Sequence, residues 1–233
     1  MDCGRGLVAL IAPQCWPNGD RRLPLLAAMG LTLVAGAIGW GADRAAVDTG
    51  SYFPSTGYLL GEVGWKLATI GIMVWGLKKF EGRSLDLRAT GFASDASASR
   101  PAFPVALFVV VLLASVTLWL TVGSSATTGS VYGTVHRAGL GLLLAEVLVR
   151  YPLTAFAEES FFRGWLQPRL GPSGPVLSAV LWGIYHLQQV SSIPSLIVFG
   201  LGLGALRWWL GNVRLTAAFH YASDVTFFVV TYR

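Results

Sequence analysis

Apolar runs of about 20 residues, the length of a helix that crosses a bilayer core, recur along this 233-residue chain. In lipid every backbone N–H and C=O must be satisfied within the segment, which makes helices the natural form for such runs. With 54% hydrophobic and 12% charged residues the chain is too apolar for a soluble domain of its size. The pattern therefore predicts an all-α, polytopic membrane helix bundle. Spans are expected at about 23–42, 57–77, 102–123, 138–158, 176–192, 193–210 and 214–231, seven in all with six to eight compatible. The fourth should run a turn or two further, through Arg163. Only Ser191, Ser192 and Pro194 part the fifth from the sixth, so one of that pair can be re-entrant. Residues 1–22 read as an interfacial or disordered lead, because the stretch Leu7–Pro13 is short and broken by proline and no cleavable signal peptide is evident. Residues 23–233 form a single bundle, with the chemistry concentrated at about 138–231.

A formal charge of +5 in a soluble protein would raise nucleic-acid binding. Here the basic residues lie between the apolar runs, where membrane orientation explains them, and no nucleic-acid partner is expected. Arg21 and Arg22 precede the first span, and Lys78, Lys79, Arg83, Arg88 and Arg100 follow the second. Arg163 and Arg169 follow the fourth, and Arg207 and Arg214 flank the sixth connection. The alternate connections hold only Arg44, Arg137 and the terminal Arg233. The positive-inside rule then puts the N terminus in the cytoplasm. Cys3 and Cys15 both precede the first span and have no His or Cys neighbour at metal-ligand spacing, so they read as two free thiols.

Carboxylates within apolar segments are costly and mark function or a buried partner. Glu158 and Glu159 are adjacent in AFAEESFFRGWL, and Arg163 follows Glu159 by four residues, close enough on a helix to pair with it. Successive residues turn by about 100°, so Glu158 is free for another task. His186 and His220 lie in other apolar segments, with Asp224 one turn after His220. From the span directions all four groups should fall in the cytoplasmic half of the membrane. A carboxylate with two imidazoles suits hydrolysis: the acid takes a proton from water, and the remaining groups stabilise an oxyanion or fix a metal. Two further pairs at four-residue spacing, Glu62 with Lys66 and Glu146 with Arg150, read as structural neutralisation on one helix face. The glycines Gly200, Gly202 and Gly204, and Gly36 with Gly39, suit close helix packing. His136 reads as a solvated histidine of a polar connection.

The motifs Glu158-Glu159-Ser-Phe-Phe-Arg163, Trp182-Gly-Ile-Tyr-His186 and His220-Tyr-Ala-Ser-Asp224 follow one another in the order of EExxxR, FxxxH and HxxxN. In this the chain resembles the CPBP family of intramembrane endopeptidases, which includes the CAAX prenyl endopeptidases and many bacterial relatives. The segment RSLDLRATGF looks like that family's usual approach to its core. The resemblance implies an integral membrane protease, of bacterial inner-membrane type, acting on a membrane-proximal peptide or protein at the cytoplasmic side. It also implies Glu158 as general base assisted by His186, Glu159 and Arg163 as a supporting pair, and His220 on the oxyanion. Catalysis in the family is also read with a divalent metal, zinc first, held by Glu158, His186 and His220. Trp182 replaces Phe, an apolar exchange expected to preserve packing. Asp224 replaces Asn, and an ionised Asp repels an oxyanion that an amide would stabilise. Asp224 must then be protonated, orient His220 or ligate a cation.

Two other functions compete. One is a catalytically silent member serving as a structural subunit or assembly factor of a larger membrane complex, which the Asp224 exchange favours. The other is a transporter with a proton relay, disfavoured by the lack of a duplicated half.

Overall fold

The computed structural model describes residues 25–48, 55–85, 92, 140–211 and 213–231. The expected lead at 1–22, the span at 102–123, both cysteines and His136 lie outside these. The described residues form helices: α1 (Leu25–Asp48), α2 (Thr56–Gly76), α3 (Leu140–Arg169), α4 (Gly174–Tyr185), α5 (Ile193–Leu210) and α6 (Arg214–Thr231). Among the described residues three helical stretches are long and apolar enough to cross a membrane, Leu25–Ala46, Leu140–Arg169 and Leu187–Trp208. Leu26, Leu60, Leu140, Leu148 and Val190 are exposed on the outside, as lipid-facing residues of a membrane protein should be.

The helix α3 is the axis of the bundle. Every residue from Ala157 to Gln167 is buried, so both faces of this stretch meet protein. Its backbone widens twice into π-type turns, at Glu146–Arg150 and Glu159–Leu166, and each widening is followed within two residues by a proline, Pro152 or Pro168. A proline inside a helix lacks an N–H and its ring collides with the carbonyl four residues back. Opening the turn ahead of it relieves that collision.

The expected span 176–192 is corrected. Here α4 has only 12 residues, about 18 Å of rise, and stops at Tyr185, where His186 takes φ −92° and ψ 50°. A tight 3-10 stretch, Leu187–Ser192, leads into α5. The polar run Gln188–Gln189 and Pro194, whose missing N–H suits the first turn of a new helix, supply the local reason. From there α5 packs antiparallel along α4. A Cβ on Gly183 would strike Ile197, one on Gly200 would meet Trp182 and Ala179, and one on Gly204 would meet the Pro175 backbone. Glycine packing is also observed in α1, where a Cβ on Gly36 would lie 2.9 Å from the Tyr185 carbonyl and one on Gly39 would overlap the Trp65 ring. The Trp65 indole N–H donates to the Ala35 carbonyl at 2.8 Å and locks α1 to α2.

Glu81, just past α2, is clamped to the end of α3. It accepts from Arg169 at 2.5 and 2.7 Å and from the Trp165 indole at 2.7 Å. Phe92, the last residue of RSLDLRATGF, stacks at 5.1 Å on Phe156 of α3.

Candidate active site

Four helices bring their polar residues to one point. Glu158 of α3 is fully buried, and its two oxygens have different partners. Oε1 accepts from the Lys66 ammonium of α2 at 2.7 Å, and Oε2 accepts from the Trp182 indole N–H of α4 at 2.6 Å. His186 Nε2 lies 3.8 Å from Oε1, and His220 Nε2 of α6 lies 3.8 Å from Oε2. The expected convergence of one carboxylate and two imidazoles is therefore present.

Each imidazole is oriented by its other nitrogen. Because α4 ends at Tyr185, the backbone N–H of His186 turns to the Gly183 carbonyl and leaves that of Trp182 free, as helix ends do. His186 Nδ1 lies 2.8 Å from this carbonyl. A carbonyl only accepts, so Nδ1 bears the hydrogen, and Nε2 of the neutral ring presents its lone pair to Glu158. His220 Nδ1 lies 3.0 Å from Glu159 Oε1 and, against a carboxylate, also donates. Its Nε2 then faces Glu158 and, at 3.8 Å, Asp224 Oδ2.

The pairing expected of Glu159 with Arg163 is found, with Nη1 to Oε1 at 3.3 Å. Arg163 Nη2 donates to the Gly200 carbonyl at 3.2 Å, which ties the pair to α5. Both side chains are fully buried. Glu159 thus holds His220, Arg163 holds Glu159, and α5 holds Arg163.

Two features escaped the reading of the sequence. Lys66 keeps the i,i+4 pair with Glu62 that spacing implies, at 4.0 Å, but Glu158 of another helix lies nearer, at 2.7 Å. Glu62 also meets Arg150 of α3 at 3.5 Å, and Arg150 binds Glu146. The second is Trp182, which does more than preserve packing, since no phenyl ring could donate to Glu158. The interhelical pairing of Lys66 left no trace in the sequence. The indole donor was legible as the one polar atom that Trp adds to a Phe position.

The donor types suit zinc, since both histidines have an anchored Nδ1 and present Nε2. The arrangement does not. Both oxygens of Glu158 already accept N–H donors, one of them an ammonium that would repel a dication beside it. Among the described residues no three His, Cys, Asp or Glu side chains are disposed to hold an ion.

Residues 139–226 match the family model described as Type II CAAX prenyl endopeptidase Rce1-like. This core is CAAX-endopeptidase-like. The match covers less than half of the chain but contains all three motifs, so the likeness read from Glu158 to Asp224 holds at the level of the family. The CAAX-like core excludes α1 and α2, and hence Lys66. No curated protein and no solved structure matches the chain.

Proposed function

We propose that this protein is an intramembrane endopeptidase that hydrolyses a peptide bond of a membrane-proximal peptide or protein at the cytoplasmic face, with Glu158 as the base. The observation that carries the reading is the 3.8 Å gap between Glu158 Oε1 and His186 Nε2. The separation is too long for a direct hydrogen bond, and both atoms are acceptors. A water between them would donate one hydrogen to each and so be aligned for attack.

Glu158 takes a proton as the water oxygen bonds to the scissile carbonyl carbon, and His186 steadies the second hydrogen. The negative charge that forms on the carbonyl oxygen requires donors, and His220 in its protonated form supplies Nε2–H while Nδ1–H stays on Glu159. Breaking the C–N bond returns the proton from Glu158 to the leaving amine. No step needs a bound metal. Asp224 beside His220 favours the protonated ring while opposing the oxyanion, so the site works with less margin than one carrying Asn there.

The cytoplasmic side follows from the distribution of Lys and Arg, which also puts the N terminus inside. On that orientation Glu158 lies in the half of α3 that leads to the cytoplasmic side. The test is cleavage of membrane-proximal reporter peptides, with and without a prenyl group, by purified protein in bilayers. Wild type should turn over one of them and Glu158→Ala should not. Equal turnover by both would remove the reading, and stoichiometric co-purification of other membrane proteins would then favour a silent subunit of a complex.

A further inference from the structure

Lys66 is the polar group nearest to Glu158 that comes from outside the CAAX-like core, and its surroundings are built to hold it. Its side chain is buried, with 1% of the residue exposed. The ammonium sits 3.1 Å from the centroid of the Trp65 ring, a cation–π contact, and 3.4 Å from the Tyr185 hydroxyl, to which it donates. Thr69 gives its one hydrogen to the Trp65 carbonyl at 3.0 Å, so in the 2.8 Å contact between Thr69 and Tyr185 the phenol is the donor. The Tyr185 oxygen is left to accept from Lys66. Trp65 in turn stacks on Tyr185 at 4.5 Å and is pinned to α1 through Ala35. Side chains of α2 and α4, with a backbone carbonyl of α1, thus fix one ammonium on one oxygen of one carboxylate.

A lone carboxylate in a dry interior does not persist as an anion, because the charge has no partner and no water. A base must be an anion before it can take a proton. The charge that a metalloprotease would supply with its ion is supplied here by an amine on a carbon stem.

We infer that Lys66 is the positioning residue of Glu158, a built-in cation that keeps the base charged and aimed at the water shared with His186 in place of a bound metal. This rests on the hydrolytic reading above. Lys66 is placed on Glu158 Oε1 and not on the substrate or the attacking water, so it acts only through Glu158, and it couples the CAAX-like core to helices outside it.

The experiment uses full-length protein reconstituted in bilayers, as wild type, Lys66→Met, Lys66→Arg, Glu158→Gln and the double variant Lys66→Met/Glu158→Gln. Turnover, melting temperature and zinc content are read for each. Lys66→Met should lower kcat about 100-fold with KM nearly unchanged, and Lys66→Arg should recover most of it. Lys66→Met should also melt below wild type, and the double variant should regain the loss, because removing both charges leaves none unpaired. Wild type should carry no stoichiometric zinc and keep its kcat in a chelator.

A Lys66→Met variant that retains kcat within about threefold would overturn the inference. So would stoichiometric zinc whose removal abolishes turnover, or a double variant no more stable than Lys66→Met. If Glu158→Gln matched wild-type turnover, the hydrolytic reading would fall, and the melting comparison would still decide whether Lys66 and Glu158 form a charge pair.

Discussion

Two buried ionic clusters sit on the same helix about three turns apart. At the N-terminal end of α3, Arg150 lies between Glu146 and Glu62, with its guanidinium 4.1 Å from the Tyr151 ring centroid. Further along, Glu158 and Glu159 lie among Lys66, Arg163, His186 and His220. Both clusters are buried and both pair opposite charges between helices. Imidazoles, whose ordinary pKa lies near neutral, are found in the second cluster, where a lone pair and a carboxylate oxygen face each other across the width of one water. The comparison separates charge that holds helices together from charge arranged for chemistry. A buried ion pair by itself is weak evidence of function, since structure alone can account for it.

The largest expected effect breaks the two clusters apart. Glu158→Gln should reduce turnover about 1,000-fold, while Glu146→Gln should leave it nearly unchanged, measured with the same reporter peptide. Next, Arg150→Met strands buried Glu146 and leaves Glu62 only the more distant Lys66, and should destabilise the protein by about 3–5 kcal/mol. Its thermal denaturation should show this while kcat at a permissive temperature stays near wild type. A stable Arg150→Met that is inactive would place the first cluster in the mechanism.

Trp182→Phe restores the residue of the family motif but removes a hydrogen bond to a charged group, worth about 1.5–3 kcal/mol. Turnover should fall about tenfold or more, and an unchanged kcat would show that the indole serves packing alone. Asp224→Asn should raise kcat severalfold by removing a negative charge 3.8 Å from His220. A fall instead would mean that Asp224 is needed to hold that ring.

The smallest effect comes from Glu81, outside the spans. Burial opposes its ionisation, but the hydrogen bonds and charge of Arg169, with help from Trp165, outweigh burial and hold its pKa below the ordinary 4.5. A lowered carboxyl pKa stabilises the fold fully above that ordinary value and is lost as pH falls below it. The melting temperature should therefore drop further between pH 6 and pH 3 in wild type than in Glu81→Gln. Equal slopes would show that the clamp contributes nothing.

Much of this was legible in one dimension. Apolar runs located α5 and α6 to the residue and α2 to within one, whereas α1 continues to Asp48, past the expected end at 42. Four-residue spacing found the Glu159–Arg163 pair, since those side chains share a helix face. Spacing found the Glu62–Lys66 pair as well, at 4.0 Å, but not the nearer carboxylate that a neighbouring helix offers Lys66. It also missed the stop of α4 at Tyr185, although the polar Gln188–Ser192 run and Pro194 were visible.

The sequence alone determined a helical membrane protein and the residues able to do acid–base chemistry, because hydrophobicity and helical periodicity are properties of a single segment. The tertiary structure decided that Lys66 pairs with Glu158, that Trp182 donates to it, and that His186 presents its bare nitrogen. Each of these depends on which faces of different helices meet, and that is fixed by packing across the bundle, where glycines at the crossings and widened turns before prolines set the approach of one helix to another.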